Sequence, residues 1–590
     1  MNAFRCAVGC ATVAVNFLVP AAGAMLSTGA DAAPAAAAPV SMRARHVPAV
    51  VANGLVAPTG EVDLRQRLQL SLELPLRNRD ELKKLMHDLY DPKSPLFHQY
   101  LSVAQFTDRF GPTPSDYDAV VAWARKSGLK VTNQAPNRHL VAVEGTTSVV
   151  NAAFNVHMTN YRHPTENRTF FAPDREPVPV GLAVPLARVA GMDNVTLPRF
   201  MASQKPSGPV GAAAAANTPV ASVNGSGPFG QYLPSDMRKA YYGTGPLTGA
   251  GQSIAIFSFD GYLASDLQLY YSRTGMSTNV PVVNRLVNGY DGVCRKVTNP
   301  TSSVCEDGEQ ILDIVNAIGM APGITQILFY EGNSPEWVLN QIAVDNIAKS
   351  ISSSWSWSAA HQEDYWDDYY IEYYVQGQTY LNATGDFGAY NSGPTTFYDT
   401  FMYPETNEYI TQVGGTVLTT NGAGGAWTGE SAWSRSGGGY VGVPAIPGYQ
   451  DQTGVIFPAN HGDSCCRNSP DIAAEADFDN VTVNNGVFST GWGGTSFAAP
   501  RWAGIIAMAN QQAVAQGTGT VGFINPLLYS LGVERSLAFH DITSGSSVAG
   551  SSLTQGTVGT LHGYDAVSGY DLVTGWGSPN GAAMINALTN

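Results

Sequence analysis

Beyond residue 230 the chain alternates short apolar runs, SIAIFSFD, ITQILFYEG and SISSSWS, with stretches that carry helical apolar spacing. This alternation restricts the fold more than any other feature, because it predicts βαβ units around a central parallel sheet. In such sheets ligand chemistry gathers at the carboxyl ends of the strands. Residues 60–200 follow a different pattern and read as a smaller α+β unit. LQLSLELPL alternates like a strand, NRDELKKLMHDLYD and DYDAVVAWARKSGL carry helical stripes, the second with a glycine stop, and LVAVEGTTSVVNAAFNVHMTNYR reads as strand, helix and strand. Between the two units, SQKPSGPVGAAAAANTPVASVNGSGPFG has few large apolar side chains and reads as an exposed, cuttable linker.

Composition sets outer limits. With 44% hydrophobic and only 13% charged residues over 590 positions, the chain can bury large cores, which excludes global disorder. A net charge of −15 disfavours a nucleic-acid partner, whose phosphates need neutralising. The charge is divided unevenly: residues 231–590 hold 11 Lys+Arg against 31 Asp+Glu, a net of −20, which leaves +5 upstream. Opposite signs predict an attraction between the two parts that weakens as carboxylates protonate.

The first residues, with Arg5, an apolar run and small residues at Ala22 and Ala24, read as a secretion signal over 1–24, or alternatively to Ala32. The run is interrupted by Asn16 and Pro20, and no later segment reaches the length of a spanning helix, so stable membrane insertion is not expected. The expected organisation is thus signal 1–24, Ala/Pro-rich linker 25–59, N-terminal domain 60–200, cleavable linker 201–230 and C-terminal domain 231–590. Removal of the signal leaves Cys294, Cys305, Cys465 and Cys466. An even number in an exported chain favours disulfides. Cys294 with Cys305 is the preferred pair, and adjacent Cys465 and Cys466 could join only as a strained vicinal bond or find other partners.

Four side chains stand where chemistry is plausible. In GWGGTSFAAPRWAGIIAMAN, Ser496 sits at the mouth of an apolar helix, where a hydroxyl is accessible and backbone N–H groups can stabilise an oxyanion, although Ser or Thr there can also serve only as a cap. A serine nucleophile needs a base. None of His361, His461, His540 and His562 opens a helix in a HGTH-like motif. In EDGEQILDIVNAIGMAPGI, by contrast, Glu309 and Asp313 are spaced i, i+4 on one helix face, so that each raises the other's affinity for a proton. Asp386, between glycines in YLNATGDFGAYNSG, follows a strand-like run; it reads as a turn residue or as a buried acid able to donate to an oxyanion.

The ordered set of Glu309 and Asp313 in ExxxD, Asp386 in TGDFG, Ser496 in GGTSFAAP and the tail FHDITSG…GYDLVTGWGSP resembles the sedolisins, acid-acting serine-carboxyl peptidases. Residues 60–200, with PLFHQYLSVAQFTDRFGP, resemble that family's pro-kumamolisin-type activation domain. The resemblance implies an α/β, subtilisin-like catalytic domain with a central parallel sheet, preceded by a smaller α+β prodomain. It implies Ser496 as nucleophile, Glu309 as general base, Asp313 as its partner and Asp386 as oxyanion acid. It further implies one structural Ca²⁺ held by Asp541 and Asp571 and by the carbonyls of Ile542, Val567 and Gly569, an oxygen set suited to that ion. Here Gly493 and Gly494 precede Thr495, Ala498 replaces a common serine, and Val567 stands where glycine is common, but no catalytic side chain is lost.

A secreted zymogen is therefore expected, a monomer acting on proteins or peptides, with its own prodomain as intramolecular inhibitor. Glutamate titrates near pH 4.3, where a histidine base would already be protonated, so such a site favours acid. The alternatives are a neutral Ser-His-Asp subtilase, which would need His361 or His461, and a non-catalytic surface protein on a protease scaffold. The aromatic run SSWSWSAAHQEDYWDDYYIEYY reads best as a helix with aromatic core contacts and a solvated acidic face.

Overall fold

The protein is described by a computed structural model covering residues 42, 45–205, 225–296, 304–357, 367–390, 404, 407–548 and 562–590. The expected signal, most of the Ala/Pro-rich segment before residue 45, linker residues 206–224 and His361 lie outside the described residues.

The N-terminal part follows its hydrophobic patterning. Strand β1 (Arg67–Glu73) leads to helix α1 (Arg79–Tyr90) and then helix α2 (Pro114–Lys126). Strands β2 (Lys130–Gln134), β3 (Leu140–Thr146) and β4 (Arg188–Ala190) complete an antiparallel sheet in the order β2-β3-β1-β4. Helix α2 starts at Thr113, whose hydroxyl accepts from Asp116 N, has Pro114 in its first turn, and is followed by Gly128 at φ 84°. Its stripe of Tyr117, Val120, Val121 and Ala124 closes the core of this sheet. The stripe of α1 does something else: Leu82, Leu85, Met86 and Leu89 pack with Ile371, Tyr374 and Val375 from the C-terminal part. This part ends in two short strands, β5 (Arg199–Phe200) and β6 (Ser203–Gln204).

The C-terminal part is the expected α/β layer structure. Strands β7 (Ser253–Ser258) and β8 (Val282–Leu286) are followed by helix α3 (Gly308–Met320), strand β9 (Gln326–Glu331) and helix α4 (Pro335–Asp345). Then come β10 (Ser350–Ser353), β11 (Trp355–Ser356), α5 (Asp367–Val375), β12 (Thr379–Ala383), β13 (Thr411–Thr420) and β14 (Trp427–Ala432). The main sheet runs β8-β9-β7-β10-β12-β13-β14 with every pair parallel except the edge pair β13/β14. Strand β15 (Ile472–Glu475) adds a parallel partner to β13, and β16 (Asn480–Asn484) and β17 (Val487–Gly493) form a hairpin that feeds helix α6 (Thr495–Gln516).

Alternation along β7 explains the layering. Ile254 and Ile256 point into the core shared with α3 and α6, whereas Ala255 and Phe257 point into the core shared with α4 and α5. Two helices on each face bury the central strands, which is why these read as continuous apolar runs, while the edge strands β8 and β14 stay partly exposed.

Two expectations need correction. The acidic residues of α5 are not solvated: Asp368 and Glu372 are buried, because this helix meets the N-terminal part. There Arg79 donates to both oxygens of Asp368 at 2.7 Å, and Asn137 donates to Glu372 at 3.1 Å. The start of the expected exposed linker is also covered. Met201 and Ala202 are buried, β5 pairs antiparallel with β11, and β6 pairs antiparallel with the end of β17. A chain that extends a sheet edge satisfies its backbone hydrogen bonds there instead of in water. Cys294 and Cys305 form a disulfide, while Cys465 and Cys466 are unbonded with their sulfurs 2.8 Å apart.

Candidate active site

Helix α3 brings Glu309 and Asp313 into the core one turn apart, both at most 1% exposed. The helix start is fixed by a residue that sequence reading passed over. Asp307 is buried and accepts from Leu263 N at 2.9 Å and from Asn485 N at 3.0 Å, so the first turn is clamped to two loops. Burial pushes the Asp307 carboxyl up to about 6.

Glu309 Oε2 accepts from the backbone N–H of Ala202 at 3.1 Å, and Asp313 Oδ1 accepts from Ser354 Oγ at 2.7 Å. Burial raises the Glu309 carboxyl well above the ordinary range, and the neighbouring Asp313 raises it further; Asp386 adds to this, while Ser496 and Ala202 N–H oppose it. Asp313 is raised chiefly by burial and drawn back by Ser354. Two carboxyls so close in a dry site share protons as a pair.

Ser496 is the second residue of α6, a helix that starts directly after Gly494 at φ 148°. Its hydroxyl is near enough to Glu309 to lower that carboxyl, but the two do not meet hydrogen-bond geometry. Asp386 lies in the turn after β12. Its Oδ1 accepts from Thr495 N at 2.8 Å and Thr495 Oγ1 at 3.0 Å, and Gly385 N donates back to Thr495 Oγ1 at 3.0 Å. Arg435 Nε donates to the Asp386 carbonyl at 3.0 Å, and its guanidinium lies 5.3 Å over the Phe478 ring. Burial pushes the Asp386 carboxyl up to about 7 against the pull of the Thr495 N–H and the Arg435 charge, so this acid holds its proton across the acidic range.

The four residues predicted for chemistry are therefore brought together, and each keeps one atom uncommitted. Glu309 Oε1, Asp313 Oδ2, Asp386 Oδ2 and Ser496 Oγ are all buried without a hydrogen-bond partner. Unpaired buried polar atoms are costly and rare. Glu309, Asp313, Asp386 and Ser496 thus each bring one unengaged polar atom to the buried start of α3 and α6.

Residues 201–202 lie against these groups. A methyl group built on Gly494 would sit 2.5 Å from Asp386 Oδ2, 2.8 Å from Ala202 Cα and 2.9 Å from Met201 O. The Met201 carbonyl therefore faces the same side of Gly494 as the free Asp386 oxygen, and the next N–H points at Glu309. No histidine among the described residues donates to or accepts from Ser496. His540 stacks on Trp427 at 3.8 Å, and exposed His562 pairs with Asp565. Ser354, Thr495 and Arg435 were missed by sequence reading. Their only signal is position: Ser354 lies within SISSSWS, Thr495 directly precedes Ser496 in GGTSFAAP, and Arg435 precedes the SGGG turn whose Gly437 N donates to Gly385 O at 2.8 Å.

The residues expected to hold Ca²⁺ gather at a second place. Asp541 accepts from Gly569 N at 3.1 Å and from Ser568 Oγ at 3.1 Å. Asp571, fully buried, accepts from Val567 N at 3.2 Å, Val573 N at 2.9 Å and Thr574 N at 2.8 Å, and the Ile542 side chain packs with Val573. Asp541 and buried Asp571 are thus both bonded to the 567–574 loop with only neutral donors on them, a pair of carboxylates of the kind an oxygen-seeking dication takes.

Comparison with known proteins gives this arrangement relatives. Residues 57–195 match the family described as Pro-kumamolisin, activation domain. The chain is 28% identical to sedolisin of Pseudomonas sp. (strain 101) over 603 residues, covering 96% of this chain and 94% of that protein. It is 28% identical to kumamolisin of Bacillus sp. (strain MN-32), covering 85% of this chain and 88% of that one. It is 27% identical to xanthomonalisin of Xanthomonas sp. (strain T-22) over 87% of this chain, and spans 64% of that relative's length.

Proposed function

Since this chain belongs to the sedolisin family of serine-type peptidases and carries that family's activation domain, we propose that it is a secreted, acid-acting endopeptidase made as a zymogen. Ser496 Oγ attacks the carbonyl carbon of a peptide bond while its proton passes to Glu309, which Asp313 holds in place. The tetrahedral oxyanion takes a hydrogen bond from protonated Asp386. Collapse breaks the C–N bond, Glu309 returns the proton to the departing nitrogen, and water then hydrolyses the acyl-Ser496 ester through the same base.

The observation that carries this reading is the pose of residues 201 and 202, with the Met201 carbonyl on the Asp386 side and the Ala202 N–H on Glu309. This is a substrate's placement, carbonyl toward the oxyanion acid and nitrogen toward the proton carrier. It also makes the activation domain an inhibitor, since the bond fills the cleft while the domain anchors it. Met201–Ala202 is accordingly the bond presented for the first maturation cut. The proposed domain limits remain signal 1–24, activation domain 60–200, linker 201–230 and peptidase domain 231–590.

When bound, Ca²⁺ would supply charge compensation at Asp571 and tie the C-terminal loops together; Asp541, Asp571 and the carbonyls of Ile542, Val567 and Gly569 would hold it. No helix among the described residues is long and apolar enough to cross a membrane.

The test is incubation of purified precursor between pH 3 and 7, with N-terminal sequencing of the products, for the parent, Ser496→Ala and Glu309→Gln. The parent should process itself in acid. Loss of the serine or of the base should slow processing by about 10⁴-fold or more, as for other serine nucleophile and base removals. Unimpaired processing by Glu309→Gln would sink the reading.

A further inference from the structure

We infer that the activated enzyme reads the second residue before the bond it cuts, taking an aromatic side chain into the place that Phe200 fills in the zymogen. The inference rests on Ser496 and Glu309 being the catalytic pair.

With Met201–Ala202 across that pair, Phe200 is second before the bond, Arg199 third and Pro198 fourth. The segment runs antiparallel to the peptidase domain, Phe200 opposite Trp355 and Arg199 opposite Ser356. Side chains of an extended segment alternate, so residues 198 and 200 share one face and 199 the other. On the shared face the Phe200 ring stands edge-to-face on Trp355, centroids 5.6 Å apart at 80°. Trp355 is in turn 5.4 Å from Phe259, and Phe259 is 5.6 Å from Trp357. Every member of this cluster except Phe200 belongs to the peptidase domain, and the edge-to-face geometry is the one aromatic rings prefer.

The same wall continues outward. Phe259 also borders, with Pro198, Asp260, Tyr290 and Asn333, a cavity of about 430 Å³. The groove is thus lined first by indole and phenyl rings and then by polar groups, at the carboxyl ends of β7 and β10, where this sheet class places its ligands. On the opposite face Arg199 reaches Glu166 of the activation domain at 2.9 Å. Departure of the activation domain removes Phe200 and leaves its aromatic seat for a substrate.

The experiment uses enzyme activated from the full chain and two series of internally quenched peptides. One varies the second residue before the cut among Phe, Leu, Ala and Glu; the other varies the third in the same way. Phe over Ala in the first series should raise kcat/KM at least tenfold, while the second series should span less than threefold. In Phe259→Ala the tenfold preference should narrow below threefold. Equal cleavage of the Phe and Ala peptides by the parent would overturn the subsite, and it does so even if Phe259→Ala fails to fold. A Phe259→Ala enzyme that keeps the full preference would overturn the role of this wall. No cleavage of any peptide, with Ser496→Ala indistinguishable from the parent, would instead overturn the peptidase reading beneath it.

Discussion

The backbone N–H of Ala202 donates to Glu309 Oε2 at 3.1 Å, so the residue proposed to abstract a proton from Ser496 is already bonded to the nitrogen of a peptide in its cleft. On the proposed reading, a bond so placed is inhibitor and first substrate at once. Ala202→Pro removes that N–H and leaves β6 and its pairing with β17 in sequence. The expected outcome is that the parent's first new N-terminus is Ala202, and that the variant loses this cut. N-terminal sequencing of early products decides it; a first terminus within 206–224 in the parent would contradict it.

With Asp386 as the proposed oxyanion acid, it sets the expected upper pH limit. Burial pushes its carboxyl up to about 7, and it can donate to an oxyanion only while protonated. The contribution is therefore present below that value and lost as pH rises through it, so kcat should fall toward neutrality and above. Asp386→Asn keeps a donor that does not titrate, and its activity should lack that alkaline limb. Asp386→Ala should lower kcat by about 10²- to 10³-fold, the cost of one oxyanion donor. Initial rates between pH 3 and 8 check both.

Much of this was legible because local pattern and tertiary structure agree. The alternating strands, the stripe of α2, and the i, i+4 spacing of Glu309 and Asp313 all follow from periodicities that survive folding. What was not legible depends on which surfaces meet. The stripe of α1 reads like that of α2, yet it packs against α5 of the other domain, and periodicity gives a face without saying what covers it. Asp368 and Glu372 look like a solvated helix face until Arg79 and Asn137 arrive from nearly 300 and 235 residues away. Residues 202–204 lack apolar bulk and read as linker because the order of 203–204 comes from backbone pairing with β17, which leaves no mark on side-chain composition.

The interface around His139 gives the zymogen a pH window. His139 is 1% exposed, neither ring nitrogen has a hydrogen-bond partner, and it is packed between the Tyr369 ring, Asp368 and Arg79. Burial lowers its pKa, Asp368 works the other way, and Arg79 lowers it again. A depressed histidine stabilises the closed form above its unfolded value near 6.5 and withdraws that support as pH falls through the folded value. Glu73 and Glu372, raised by burial to about 8, do the reverse: their support is full in acid and lost as pH rises through 8. Docking should therefore weaken on both sides. His139→Gln should delay acid activation to a lower pH by about half a unit or more, the order of shift a buried histidine produces. Glu73→Gln should lessen the loosening above pH 8, and Glu73→Gln with Glu372→Gln should abolish it. Activation half-times and hydrogen exchange of the prodomain amides, measured against pH, test both limbs.

At the C-terminal loops, Asp571 lies buried among neutral donors and Asp541 bonds Gly569 across from it. If Ca²⁺ is held there, chelation should lower Tm in a way that added Ca²⁺ reverses and Mg²⁺ does not, since Mg²⁺ gives up its waters reluctantly. Asp541→Asn should weaken the Ca²⁺ dependence while leaving the Ser496 site untouched. Tm set by calcium concentration in the parent and less dependent on it in the variant is the expected pair of results.

Gly494 is the sharpest structural constraint beside the nucleophile. At φ 148° it occupies backbone space that side-chain-bearing residues avoid, and a Cβ there would come within 2.5 Å of Asp386 Oδ2 and 2.8 Å of Ala202 Cα. Neither neighbour can retreat freely: Asp386 is held through Oδ1 by Thr495 and through its carbonyl by Arg435, and Ala202 is held by Glu309. Gly494→Ala should therefore push the oxyanion acid from its place and cost about 1 to 3 kcal/mol in backbone strain, besides the displaced groups. The expected result is a zymogen that folds with a Tm several degrees lower and processes itself at least 10²-fold more slowly. A variant that lost stability but kept the parent's processing rate at permissive temperature would show that Asp386 need not stand where the zymogen holds it.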